Sequence, residues 1–408
     1  MNVRRNTLLL AACMSVNSAT LQLVAAISSL TFVLVAGIEG LLGLGPAIFL
    51  CAAALGALVA GRAMDRIGRV PVLATGFGVG SVGALVTALG THVDSALAVV
   101  GGFALIGVAG GTAQLARAAA GDMYPPARRA RGISYVLFGA VFGAILGPAF
   151  FSPLFRGREL SAGALTVPWL AAAGIMAIGL VIVLFVRPDP KRIAELLAPD
   201  RGREAPPEPA APLGVILRRT NVLPALVAGV ASFAVMVAVM NLAGYVVVEH
   251  RHHPQHLIFP IIGAHVLGMY ALMPVVGTLV DRIGRPPALV GGLALMAVSN
   301  AGLHWTEGVA GTAVLLFGLG LGWNVSFVAA TAQLADCAAP GERGKLLGFN
   351  DLLAGLTGAS FVLIGGFALG TLGVTALALG SAAVALVAPA WMLARARNGR
   401  RPAVEPSP

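Results

Sequence analysis

Twelve apolar runs, most of them about as long as a bilayer core is thick when wound into a helix, divide this chain almost from end to end. They cover residues 7–32, 41–61, 72–91, 96–118, 131–154 and 166–187, then 220–248, 257–280, 287–304, 309–334, 345–369 and 372–395. Helices of this length satisfy all their backbone hydrogen bonds internally, which lipid demands. A soluble fold has no interior large enough for the pattern. Here 58% of residues are hydrophobic and 11% charged, against about 45–50% and 25% in ordinary soluble domains. The expected fold class is an all-α membrane protein with 12 transmembrane helices. The first run follows Arg4 and Arg5 as a signal peptide would, but it is too long and lacks a small-x-small cleavage site. It reads as a retained span.

Cations orient the spans. With the N-terminus inside, 24 of the 27 Lys and Arg fall on the cytoplasmic side, and only Arg156, Arg158 and Arg251 fall outside. That bias is the positive-inside rule. It predicts an even number of spans, both termini in the cytoplasm and a multi-pass protein of the plasma (inner) membrane. The net charge of +10 does not indicate nucleic acid, because the basic clusters are short and carry no interleaved aromatics. Cys13, Cys51 and Cys337 show neither metal-ligand spacing nor pairing.

The segment "RPDPKRIAELLAPDRGREAPPEPAAPLG" between runs six and seven is charged and Pro-rich. It divides the chain into a six-helix bundle over 1–187, a cytoplasmic linker over 188–219 with one short surface helix at "IAELL", and a second bundle over 220–395. Residues 396–408 read as a disordered cytoplasmic tail.

The halves repeat one another. "GRAMDRIGRVPVL" (Gly61–Leu73) and "GTLVDRIGRPPAL" (Gly277–Leu289) share eight of thirteen positions at an offset of 216. "TAQLA" occurs at Thr112 and Thr331, an offset of 219. Parallel six-helix copies of this kind, related by an axis along the membrane normal, are a transporter signature. On these phrases the chain resembles the major facilitator superfamily across its length. Gly61, Asp65, Arg66, Gly68 and Arg69 match that family's loop 2–3 phrase, and Gly277, Asp281, Arg282, Gly284 and Arg285 match it again. The resemblance implies two six-helix bundles with pseudo-two-fold symmetry. It also implies that the acid and arginine of this phrase latch the bundles together on the cytoplasmic side. Asp65 is expected at the lipid–water boundary, partly hydrated, near Arg69 or a neighbouring helix N-terminus. The alternative is a charged anchor with a turn and no gating role.

"GAVFGAILGP" resembles the span-5 phrase of the family's antiporters at Gly143, Gly147 and Pro148, though Phe151 and Ser152 replace its closing glycines. The alternative is a plain small-residue packing face. Phe103 stands where the proton-driven exporters carry an arginine in span 4, and Arg117 is expected to pair with Asp122.

Polar residues deep in the runs are costly in lipid and mark candidate cavity positions. They are Asn17 and Gln22, with Ser18 and Thr20 beside them; Gln114; Asn241 and Tyr245; and Trp323 and Asn324, with His265 and Ser326. The alternative is hydrogen bonding that merely joins helices. Asp351 is the one acid clearly inside a run. It is either a proton-coupling group or a shallow carboxylate kept ionised by Arg66, Arg69 or Arg117. Glu249, His250, His252, His253 and His256 read as a solvated outside loop rather than a metal site. No phosphate-binding loop, HExxH or nucleophile elbow occurs, so neither an enzyme nor a cofactor is expected. The resulting expectation is a monomeric secondary transporter in the lipid bilayer. It would move a small organic solute by alternating access and export it by coupling to an ion gradient such as that of protons. Import of a metabolite, or a non-transporting sensory or scaffold role, are the alternatives.

Overall fold

The computed structural model describes residues 2–36, 44–151, 154, 161–197, 211–246 and 258–398. Within these, helices follow one another as α1 (Val3–Ala36), α2 (Leu44–Ile67), α3 (Arg69–His92), α4 (Ala96–Gln114), α5 (Ala116–Asp122), α6 (Arg129–Phe151) and α7 (Ala162–Leu184). Two short helices, α8 (Pro190–Leu197) and α9 (Leu213–Leu217), lead into α10 (Val222–Tyr245), α11 (Ile258–Tyr270), α12 (Met273–Ile283), α13 (Arg285–Gly302), α14 (Val309–Asp336) and α15 (Arg343–Asn398). Among the described residues, nine helices are long and apolar enough to cross a membrane, or ten if the bent pair α11–α12 is one span. Large apolar side chains such as Leu97, Val59, Val298, Val314 and Leu372 stand exposed on their outer faces, as a lipid-facing surface requires.

Two apolar runs and one long helix are broken for readable reasons. α11 and α12 bend by 44°. Pro274 opens α12 and cannot donate to the carbonyl of Tyr270, four residues back. Leu115 separates α4 from α5, its N–H turning to the Thr112 carbonyl in a tighter turn. Gly373, at φ 77°, breaks α15 one residue into the run read as 372–395, just past the run read as 345–369.

In the N-terminal half α1 packs on α6 and α7, α3 on α4 and α7, and α2 on α4. In the C-terminal half α10 and α13 each pack on α14 and α15, and α11 packs on α14. The halves meet along two main seams, α2 against α15 and α6 against α12. Small residues let backbones touch there. A Cβ added at Gly61 would overlap the Gly344 carbonyl oxygen, and one at Gly277 would press on Ser134.

Candidate functional site

Both copies of the repeated phrase sit at these seams. The Asp65 carboxylate accepts N–H bonds from Gly344 (2.9 Å) and Lys345 (2.6 Å), in the first turn of α15. Asp281 accepts the N–H groups of Ala130 (3.2 Å) and Arg131 (3.0 Å), in the first turn of α6. Each acid at the end of one half's helix thus occupies the positive N-terminal end of a helix in the other half, where unpaired N–H groups and the helix dipole favour an anion. Positive φ at Gly68 (103°) and Gly284 (88°) makes the tight turn that brings the arginine four residues on back beside its acid.

Those arginines organise the rest. Arg69 donates from Nη1 to Asp65 (2.7 Å), from Nε to Asp122 (2.7 Å) and from Nη2 to the Pro340 carbonyl (2.8 Å). Arg285 donates to Asp281 (2.9 Å), Asp336 (3.1 Å) and the Pro126 carbonyl (2.5 Å). Arg343 of the C-terminal half then reaches Asp122 (2.7 Å), and Arg129 of the N-terminal half reaches Asp336. Two four-residue clusters result, each of two acids and two arginines and so each neutral. Each half lends one arginine to the other's cluster. The Asp65 and Arg69 side chains are 4% and 0% exposed, so this pair is buried rather than partly hydrated as the sequence suggests. Burial raises the stakes: a satisfied buried pair contributes little net stability, while removing one partner costs about 3–5 kcal/mol. Arg66 and Arg282 point outward and are exposed. Asp122 was expected only as the partner of Arg117, and Arg129, Asp336 and Arg343 were given no role from the sequence. Their signal was there: "GDMYPPARRARG" and "ADCAAPGERGKLLG" align at an offset of 214.

Farther from the latch, an aromatic ladder approaches the junction of the halves. The Trp323 ring stacks on Phe327 (4.7 Å, 17°) and meets Tyr270 edge-on (5.9 Å). The Arg117 guanidinium lies 4.8 Å over the Phe327 ring and is paired with Asp351. Arg117 is therefore not the partner of Asp122, which is filled by Arg69 and Arg343. The Leu115 break frees the Gln114 carbonyl, and Arg117 Nη1 takes it at 2.9 Å. Trp323 Nε1 and both polar atoms of Asn324 are buried without a partner among the described residues, as groups that await water or a ligand are.

The other expected positions divide. Asn17 is buried, and Gln22 and Gln114 are half-buried. Ser18 donates to the Ala140 carbonyl (2.9 Å), and Gly143 and Gly147 lie against Ser15 and Ala19, so this face joins α1 to α6. His265 bonds the Leu316 carbonyl (2.8 Å), and Ser326 bonds Ser232 (2.7 Å), joining helices of the C-terminal half. Phe103 packs 5.4 Å from the Trp169 ring in an apolar core. The backbones of Asn241 and Tyr245 lie in α10 and that of Pro148 in α6; their side chains lie outside the described part. The loop acid and histidines, Glu249 to His256, fall outside the described residues.

Below the latch, α8 docks on the N-terminal half. The Asp189 carboxylate accepts the N–H groups of Arg69 (3.1 Å) and Val70 (2.8 Å), and Lys191 Nζ donates to the Asp65 carbonyl (2.7 Å). On the other side Glu342 binds Arg219 through both oxygens (2.5 and 3.0 Å) and accepts the N–H groups of Ala211 and Ala339 (each 3.0 Å). Burial alone would push the Glu342 carboxyl up, but Arg219 and the two N–H groups together hold it below the usual carboxylate value.

A family model described as Major Facilitator Superfamily matches residues 7–264 and 254–408. The chain is 31% identical over 369 residues to the riboflavin transporter RfnT of Brucella anthropi, covering 86% of this chain and 85% of that one. It is 31% identical over 337 residues to the MFS-type transporter YdeG of Bacillus subtilis, covering 79% and 76%. The fold is similar to that of the human organic anion transporter MFSD10, with a TM-score of 0.74, 16% identity and coverage of 96% and 100%. The chain belongs to the major facilitator superfamily: it is a multi-pass membrane transporter and not an enzyme.

Proposed function

We propose that this transporter moves a small planar aromatic solute, with riboflavin the first compound to try, by alternating access between its two halves. One observation carries the substrate class: the Tyr270–Trp323–Phe327 ladder, whose Trp323 Nε1 is buried without a partner among the described residues. Flat aromatic faces with a few polar groups suit a flat aromatic solute bearing polar substituents. The similarity to a riboflavin transporter supports the same reading. The twin clusters act as the cytoplasmic gate. When Asp65 and Asp281 leave the N-termini of α15 and α6, the solute's way to the cytoplasm opens. In this reading the chain is a monomer with twelve spans in the inner membrane, arranged as bundles 1–187 and 220–395 around a linker at 188–219. Both termini, including the 396–408 tail, face the cytoplasm. Transport is driven by an ion gradient, and the antiporter-like phrase at Gly143–Pro148 favours export.

The test is riboflavin fluorescence in proteoliposomes under an imposed pH gradient. Gradient-dependent movement of riboflavin is expected, reduced about fivefold to tenfold by Trp323→Ala, which removes a stacking surface worth about 1–1.5 kcal/mol. Failure to move riboflavin or any other flat aromatic compound in either direction would reject the substrate class.

A further inference from the structure

We propose that Arg117 is a subsite for the anionic group of an aromatic carboxylate, and that Asp351 is the internal anion which that group displaces. The proposal rests on the aromatic-solute reading above and deepens it. Arg117 belongs to α5 in one half and Asp351 to α15 in the other, so their pair crosses the junction of the halves. It lies inward of the latch: Asp351 is eight residues beyond Arg343, roughly 12 Å along the helix.

The pair is underfilled where the latch is not. Arg69 and Arg285 each place Nε, Nη1 and Nη2 on acceptors. Arg117 is 1% exposed, yet its Nε has no partner among the described residues. Asp351 Oδ2 and Asn350 Oδ1 also lack one. Asp351 thus holds Arg117 through a single nitrogen, Nη2. A guanidinium can offer a carboxylate two parallel N–H groups, and the Nε–Nη2 edge is left half used. The guanidinium lies over the Phe327 ring, at the end of the aromatic ladder. A solute whose ring lies along the ladder would bring a carboxylate to that edge.

The pseudo-symmetry separates this pair from the gate. Every latch residue has a charged counterpart in the other half. At the offset of 214 set by Asp122/Asp336 and Arg129/Arg343, the counterparts of Arg117 and Asp351 are Thr331 and Leu137. The pair is a one-sided addition to a duplicated frame.

The full chain in nanodiscs tests this with 2-naphthoate and 2-naphthamide, which share a ring and differ in charge, read by quenching of tryptophan fluorescence. The wild type is expected to bind the carboxylate about tenfold more tightly than the amide, the factor that one charge-assisted contact of about 1.4 kcal/mol supplies. Asp351→Asn, which removes the competitor, should widen that ratio. Arg117→Gln alone strands a buried carboxylate, so the informative variant is Arg117→Gln with Asp351→Asn, which removes both charges together. In it the ratio should fall to about one. Equal affinities in the wild type, a ratio narrowed by Asp351→Asn, or a preference that survives in the double variant would each overturn the subsite while leaving the aromatic-solute reading standing. Failure of both probes to bind the wild type would overturn that reading, and the subsite with it.

Discussion

Gly61 has no room for a methyl group: its Cβ would overlap the Gly344 carbonyl, backbone against backbone. Gly61→Ala must therefore push α2 off α15. Overpacking of this kind costs about 1–3 kcal/mol, and it falls on the seam where the proposed gate closes. Cysteine accessibility at the end of α2 and the start of α15 should rise in Gly61→Ala. It should not change in Gly291→Ala, where nothing lies within 4 Å of the added Cβ. Glu342 makes a pH-dependent contribution at the same scale. Its carboxyl is held below the usual value in the folded chain, so its stabilisation is full above the unfolded pKa of about 4.3. It is lost as pH falls through the lower, folded value. Thermal unfolding in detergent should thus drop as pH falls below about 4.3, and Glu342→Gln should flatten part of that drop. An identical slope in the variant would contradict the assignment.

At the scale of elements, the two copies differ in how α3 and α13 begin. Asp189, the residue before α8, caps the N–H groups of Arg69 and Val70 at the start of α3. At the start of α13 Pro286 stands in the place of Val70 and has no N–H to cap. Asp189→Ala should cost about 1 kcal/mol, the worth of a lost N-cap, and lower the melting temperature. A melting curve unchanged by Asp189→Ala would show that α8 does not support the turn. The short helix expected at "IAELL" is thus present as α8, but it is packed rather than free: Ile193 and Ala194 are buried. Register is where the sequence misleads. "TAQLA" repeats at 219, but the structure sets Gly76 against Thr112 and its counterpart Gly292 against Ser326, so Thr112 and Ser326 correspond at an offset of 214. Five extra residues in the first half, "RAAAG", separate "TAQLA" from Asp122. The identical letters therefore occupy different levels of their spans, and Thr331 corresponds to Arg117.

For the whole molecule, hydropathy and cation placement were enough to indicate a helical membrane protein, because lipid constrains every residue of a span. The repeated phrase pointed to Asp65, Arg69, Asp281 and Arg285. The exchange of Arg129 and Arg343 between halves was not legible, because each partner lies over two hundred residues away and only packing brings them together. The aromatic ladder was half visible: Trp323 was named, but Phe327 and Tyr270 look like ordinary core residues until their rings meet. The central proposal is that two symmetric, neutral clusters hold one closed cytoplasmic gate. Spin labels at Ile67 and Ile283, both exposed at the ends of α2 and α12, measure that gate directly. The wild type should give mainly one short distance. Asp65→Asn with Asp281→Asn leaves a buried arginine short of its charge partner in each cluster, at a cost of about 3–5 kcal/mol per cluster, more than enough for a hundredfold change in population. The distribution should move to a longer distance. A distribution unchanged between the wild type and the double variant would contradict the proposed gate.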